Sequence, residues 1–303
     1  MSDIIDQFAP SFPRFAVQPG EIEFFTPAGP AEFWKRLRKM LRGARRRIRL
    51  ATLYWGTESK EGQLVDDMRH ALGHSPELTV QVVVDYSRGR RSTPNGNTVS
   101  FLRALALEFP GRVELALHKM PQFDGLAAWL PSPLDECVAV FHFKALVADD
   151  EAIVTGANLS DEYWHCRQAR YITVRHGPLV DLFDDVVQAA FTHGLEADFA
   201  LEAPALLPAR ACARTVHRAM LNAVDRRAEH PDGDTVLVPL FQHPTLGLRQ
   251  ECEVLEKMLA WPDCDLVINT PYPNFPERYL RALERRVGSK SPGDTLFIGP
   301  SGN

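Results

Sequence analysis

One segment carries residues able to do phosphorus chemistry: His142-Phe-Lys-Ala-Leu-Val-Ala-Asp149, followed after six intervening residues by Gly156-Ala157-Asn158. On a β-strand, side chains two apart share a face, so His142 and Lys144 are expected to project into one space. A neutral imidazole there can attack a phosphorus atom, and an ammonium beside it can hold the phosphate oxygens. Asn158 can add an amide N–H donor without adding charge. Asp149 completes the spacing. Seven residues from His142, it faces the other side of an unbroken strand, which reads as structural more than catalytic. A bare His-x-Lys says little; the specificity lies in HxKxxxxD with GAN behind it. Of the ten histidines, only His142 has a lysine two residues on.

The surrounding pattern must deliver that segment to a pocket. Glu21–Thr26 reads as a short strand, and Pro30 opens a helix with Phe33, Leu37, Met40 and Leu41 on one face. Arg47–Tyr54 reads as a strand, Glu61–Leu72 as a helix, and Leu78–Asp85 as a β-branched buried strand. Thr98–Phe109 is helical and Arg112–His118 is a strand. This rhythm predicts a mostly parallel sheet covered by helices. Pro121–Glu136 reads as a loop, Val138–Ala148, Ala152–Thr155 and Arg170–Val174 as strands, and Pro178–His193 as a helix. Residues 196–210 form a boundary, after which the alternation restarts. Helices are expected at Ala211–Asp225, Arg249–Leu259 and Pro276–Arg286, and strands at Thr235–Leu240, Asp265–Asn269 and Thr295–Ile298. The expected organisation is an N-terminal arm (1–20), a first α/β domain with the motif (21–197), and the start of a similar second domain (198–303). The sequence stops straight after a strand, so the second half reads as unfinished.

Composition narrows the classes. Hydrophobic residues make up 45% and charged residues 24%, which suits a filled core. A net charge of -5 argues against a general nucleic-acid binder. The five cysteines are scattered without a CxxC pair, against a disulfide framework or structural zinc. No apolar run reaches the ~20 residues that span a bilayer. The opening MSDIIDQFAPSF has neither secretory nor typical mitochondrial-leader character. Lys35–Arg49 packs nine basic residues into fifteen positions, either a solvated helix face or a contact for anionic lipid headgroups. Trp129 and Leu130 belong either to a buried loop or to one that dips into a bilayer.

These motifs resemble the phospholipase D superfamily and, within it, the eukaryotic-type phosphatidylglycerophosphate synthases (CDP-diacylglycerol–glycerol-3-phosphate 3-phosphatidyltransferases). The stretch HFKALVADDEAIVTGANLSDEYWHCRQARY is similar to that family's HxKxxxxD…SGANLSxxYFxxRQDRY. Leu53-Tyr54-Trp55-Gly56 resembles its LYxG, Asp85 to Arg91 its DxxRGxR, Pro239 to Gln242 with Gly247 its PLxQ…G, and Thr270 to Asn274 its TxYxN. The resemblance runs from about Phe24 to Asn303. Ala169 departs from the aspartate of RQDRY, Thr155 from the serine before GAN, and only one of the family's two HxK motifs is present.

The resemblance implies a duplicated α/β/α sandwich with its second half incomplete, and a mitochondrial enzyme peripheral to the inner membrane. Two HxK motifs would meet at one pocket, one histidine forming a phosphoenzyme and the other protonating the leaving group. Carried onto this chain, His142 would attack CDP-diacylglycerol, CMP would leave, and the phosphatidyl group would pass to glycerol 3-phosphate. Lys144 and Asn158 would stabilise the charge without a metal or other cofactor. Arg88, Arg90 and Arg91 follow a strand end and read either as phosphate ligands or as a solvated basic turn. Arg167 and Arg170 flank the GAN segment and read either as further phosphate ligands or as ion-pair partners. A second HxK is expected beyond Asn303, or in a second copy of the chain in a homodimer. Without it, the 303 residues are expected to turn over little. The competing readings are a CDP-diacylglycerol–serine phosphatidyltransferase, a phospholipase D-like hydrolase, and an inactive paralogue.

Overall fold

The computed structural model describes residues 2–9, 11–24, 29–120, 140–192, 195–196, 214–215, 217–219, 221–222, 233–243, 247–269, 274–289 and 297–299. These fall into two compact units, one of residues 13–237 and one combining 1–12 with 238–303. The expected loop 121–136, with Trp129 and Leu130, lies outside the described residues.

Helix α1 is Ser2–Phe8 and belongs to the smaller unit. In the larger unit the chain runs β1 (Phe15–Val17), β2 (Ile22–Phe24), α2 (Gly29–Gly43), β3 (Arg47–Thr52), α3 (Ser59–His74), β4 (Thr79–Asp85) and α4 (Tyr86–Arg90). It continues with α5 (Thr98–Glu108), β5 (Val113–His118), β6 (Ala145–Ala148), β7 (Glu151–Thr155), α6 (Glu162–His165), β8 (Tyr171–Val174) and α7 (Gly177–Thr192). Leu195–Glu196 forms β9 and Thr235–Leu237 forms β10. β1 and β10 pair with each other. Eight strands form one sheet in the order β2-β8-β7-β6-β3-β4-β5-β9.

Only β3, β4 and β5 run parallel; the five other pairings are antiparallel. The expectation of a mostly parallel sheet is therefore corrected to a mixed one. The cause is local. Only Asp149 and Asp150 separate β6 from β7, and so short a link can join strands only as an antiparallel hairpin. Asp149 takes the turn with φ of 48°, a left-handed conformation that aspartate tolerates better than most residues.

The helix α2 forms where apolar residues recur at helical spacing, and Phe33, Leu37, Met40 and Leu41 are all buried. With Leu64, Met68 and Leu72 of α3 and Leu102 and Leu105 of α5, they cover one sheet face, meeting Ile48, Leu50, Val80, Val82, Leu115 and Leu146. Each such side chain contributes about 1.5–3 kcal/mol on full burial. Period-two alternation sends Val83, Ala116, Ala145 and Val147 to the other face, where α7 packs across β3 to β7. Buried Glu61 ties the start of α3 to α6 by accepting a hydrogen bond from Trp164 Nε1.

The basic run is largely consumed within the fold. Arg38 and Arg42 both reach the fully buried carboxylate of Asp67, at 2.6 and 3.2 Å. Arg36 pairs with Glu23, Arg46 with Asp150, and Arg47 with Asp181 and Asp184. Lys35 and Lys39 are exposed. Most of this charge therefore clasps α2 and β3 to their neighbours.

In the smaller unit, α1 and the helix Gln250–Ala260 enclose a core of Phe8, Ala9 and Val254, with Phe12, Val238, Leu240 and Trp261 packed on it. Val267–Asn269 pairs in parallel with Phe297–Gly299, and Glu277–Ser289 is helical. Among the described residues, no helix is long and apolar enough to cross a membrane.

Candidate active site

The parallel strands β3, β4 and β5 end at Thr52, Asp85 and His118 along one edge of the sheet. β6 runs against β3 and β7 against β6, so β6 begins and β7 ends at that same edge. Ala51, Ala145 and Val154 stand in register there. The topology thus delivers Tyr54, the segment after Asp85, the residues before Ala145 and those after Thr155 to one place. The carboxyl ends of parallel strands are where α/β proteins place ligand sites.

His142 and Lys144 lie before β6, not within it. The strand expected over Val138–Ala148 is confined, among the described residues, to Ala145–Ala148. Ala145 pairs with Ala51, one residue short of the end of β3, and no strand partner is described for residues 140–144. The Phe141 N–H finds a side chain instead, donating to Asp85 Oδ2 at 2.7 Å. His142 is solvent-exposed, whereas Lys144 is 5% exposed and its Nζ donates to the His142 carbonyl oxygen at 3.1 Å.

Desolvation of the ring, and then the Lys144 charge, lower the His142 pKa from the ordinary 6.5 to about 4. That direction leaves the imidazole uncharged at neutral pH. Burial lowers Lys144 from 10.5 to about 8, so the ammonium still carries its charge at neutral pH. The pair is therefore an uncharged imidazole beside a poorly solvated cation.

Asn158, 5% exposed, donates from Nδ2 to the Tyr163 hydroxyl at 3.2 Å, while its Oδ1 is buried with no hydrogen-bond partner among the described residues. Exchanging the two amide atoms would let Oδ1 accept from the Tyr163 hydroxyl and turn the N–H₂ group toward a ligand. The GAN turn is tied to the segment after β3: Gly56 N–H donates to the Leu159 carbonyl at 2.7 Å, and Tyr54 and Ser160 hydroxyls lie 3.1 Å apart. Ala169 sits beside Gly156, so its missing carboxylate would have stood next to this turn.

Asp149 lies at the opposite end of β6. Its carboxylate accepts the backbone N–H groups of Arg45, Arg46 and Arg47 at 2.7, 2.8 and 3.1 Å, fastening the hairpin turn to the start of β3. Arg88 comes to the site edge, its guanidinium 4.6 Å from the centre of the Tyr54 ring. Arg90 is exposed and folds onto Tyr86, and Arg91 is exposed. Arg167 is exposed and pairs with Glu162 at 2.9 Å, with Tyr163 beside it. Arg170, just before β8, is exposed.

Sequence reasoning gave no role to Asp85, Tyr54 or Ser160, and read Tyr163 only as core or pocket wall. Asp85 carried a usable signal, an aspartate between a buried strand and Ser-Arg, as expected of a helix N-cap. Among the described residues, no three or more His, Cys, Asp or Glu side chains converge as a metal site.

Fold and site together set an exposed imidazole and a buried ammonium at the carboxyl edge of the parallel strands in a mixed α/β sheet. The chain is similar in structure to the phosphatidylserine synthase of Haemophilus influenzae Rd KW20, with a TM-score of 0.71 over 99% of this chain and 65% of that one, at 19% identity. In sequence it is a relative of the CDP-diacylglycerol–glycerol-3-phosphate 3-phosphatidyltransferases. It is 27% identical to the mitochondrial protein of Gallus gallus over 96% of this chain and 61% of that protein. It is 36% identical to the Schizosaccharomyces pombe protein over 56% of this chain and 34% of that one. The chain thus spans less than two thirds of the length of these relatives. No family model matches it.

Proposed function

We propose that this chain carries a phosphatidyl-transfer site in which His142 forms a covalent phosphoenzyme. A ring nitrogen lone pair attacks the CDP-diacylglycerol phosphorus that bears the diacylglycerol oxygen. A P–N bond forms, the P–O bond to the cytidylyl phosphate breaks, and CMP leaves with that electron pair. A glycerol 3-phosphate hydroxyl oxygen then attacks the same phosphorus. The P–N bond breaks, the ring recovers its lone pair, and the hydroxyl proton passes to a base outside this segment. Lys144 and Asn158 hold the non-bridging oxygens. Arg88, Arg90, Arg91, Arg167 and Arg170 line the approach of the anionic groups, while Asp149 holds the hairpin.

The observation that carries this reading is the pairing at one sheet edge of an exposed, uncharged imidazole with a buried ammonium. A neutral ring keeps the lone pair that attack requires, and a desolvated cation interacts more strongly with developing oxyanion charge. The names of the sequence relatives support glycerol 3-phosphate as acceptor, and the name of the Gallus gallus protein supports a mitochondrial setting. The lipid donor implies work at a membrane surface, and a second copy of the chain would supply a second histidine.

The test is to incubate the protein with CDP-diacylglycerol labelled on the diacylglycerol-side phosphate, quench in alkali and map the label. We expect an alkali-stable, acid-labile adduct on His142, CMP release, and product only when glycerol 3-phosphate is added. An unchanged adduct in His142→Ala, or incorporation of serine in place of glycerol 3-phosphate, would reject it.

A further inference from the structure

Asp85 ends β4 with its side chain 1% exposed, and its two oxygens serve two different segments. Oδ1 accepts the N–H groups of Ser87 and Arg88 at 3.0 and 2.9 Å, as a cap on α4. Oδ2 accepts the N–H of Phe141, the residue before His142. Capping needs one oxygen, and a serine would supply it about as well. The second oxygen is what a carboxylate adds, and it is spent on the main chain that carries the nucleophile.

Both segments are pinned elsewhere too. The Phe141 ring lies 4.4 Å from the buried His118 ring, and His118 stands opposite Asp85 in the β4–β5 register. On the other side, Gly89 is pressed so closely on Val84 and Leu117 that an added Cβ would lie 2.6 and 3.1 Å from their side chains. Arg88 is thus held from its amide by Asp85, from its neighbour by β4 and β5, and at its guanidinium by Tyr54.

We propose that Asp85 is a positioning residue that holds both the aim of His142 and the placement of Arg88, one carboxylate oxygen for each. The role rests on the phosphatidyl-transfer reading above. It predicts that the two arms separate when the oxygens are separated. Asp85→Ser keeps a hydroxyl that caps Ser87 and Arg88 but does not reach Phe141.

The experiment compares Asp85→Ser with the parent by NMR of the labelled histidine ring and arginine Nε–H groups, alongside steady-state kinetics. In Asp85→Ser, the His142 ring signals and titration midpoint should shift and kcat fall about 100-fold, the scale of a small misplacement of a reacting group. The Arg88 signal, and KM for glycerol 3-phosphate, should stay near parental values. Asp85→Asn, which retains size but turns an N–H₂ group on one of the two segments, provides a second folded variant; there at least one arm must move. Parental His142 signals in folded Asp85→Ser, or both arms parental in folded Asp85→Asn, overturn the proposal. So does an Asp85→Ser variant in which Arg88 moves together with His142. A parent protein with no phosphatidyl transfer would instead reject the functional reading, while the resonances still report the two supports.

Discussion

Lys144 Nζ donates a 3.1 Å hydrogen bond to the main-chain carbonyl oxygen of His142, the residue whose ring it accompanies. The ammonium is anchored to the backbone of its partner, and no other partner is described for its remaining N–H donors. It stays close enough for its charge to help hold the ring unprotonated.

The pH profile should show both groups. The imidazole is neutral above about 4, and the ammonium is charged below about 8. Transfer should therefore run on a plateau between these limits, losing rate on the acid side as His142 protonates and on the alkaline side as Lys144 deprotonates. Because the Lys144 charge contributes to the low His142 value, Lys144→Met should raise the His142 titration midpoint. NMR titration of the ring checks this, and an unmoved midpoint contradicts it.

Lys144→Met should also stabilise the protein while abolishing transfer. The folded pKa lies below the unfolded one, so the unfolded chain holds more protons between about 8 and 10.5. Stability rises with pH across that window, and at pH 7 the cost of burying the charge is present in full, about 3 kcal/mol. Methionine keeps the volume and removes that cost. Denaturant melts at pH 7 and pH 10 should show a gain that shrinks toward the higher pH.

Asp149→Ala should act on stability and spare chemistry. It deprives three backbone N–H groups of their acceptor and leaves alanine at positive φ. We expect a loss of about 2 kcal/mol, seen as a fall of roughly 4–8 °C in Tm. Asp149→Asn, which tolerates the same backbone and keeps an acceptor oxygen, should lose less than half as much. The kcat of the folded fraction should stay near the parental value, because Asp149 is at the far end of β6.

Gly89→Ala should weaken binding of anionic substrate. The new methyl must displace the Val84 side chain or lift α4, which carries Arg88. Overpacking of this kind costs about 1–3 kcal/mol. KM should rise more than kcat falls, and adding Val84→Ala should recover part of both stability and KM. Strict additivity of the two changes would count against the contact as the cause.

Much of the first unit was legible because its signals are local. The spacing of Phe33, Leu37, Met40 and Leu41 marks α2, whose expected start at Pro30 is one residue from the observed one, and the β-branched run before Asp85 marks β4 within a residue of its bounds. The sheet's mixed character was less visible. Alternating elements suggest parallel strands, and only the shortness of the Asp149–Asp150 link betrays the hairpin. The basic run left its role open for a related reason. Composition shows nine like charges, but their partners at Glu23, Asp67, Asp150, Asp181 and Asp184 come from elsewhere in the chain.

By itself the sequence determined which side chains are available to the chemistry and in what order: His142, Lys144 and Asn158, with a strand between them to bring the turn back. Their types and spacing are covalent facts, and periodicity follows from backbone geometry. Only the tertiary structure decided that His142 is open while Lys144 is buried, and hence which of them is neutral. It also decided that Asp85 reaches fifty-six residues forward to Phe141. Desolvation and long-range hydrogen bonds depend on what the sheet edge packs against, and no local pattern encodes that.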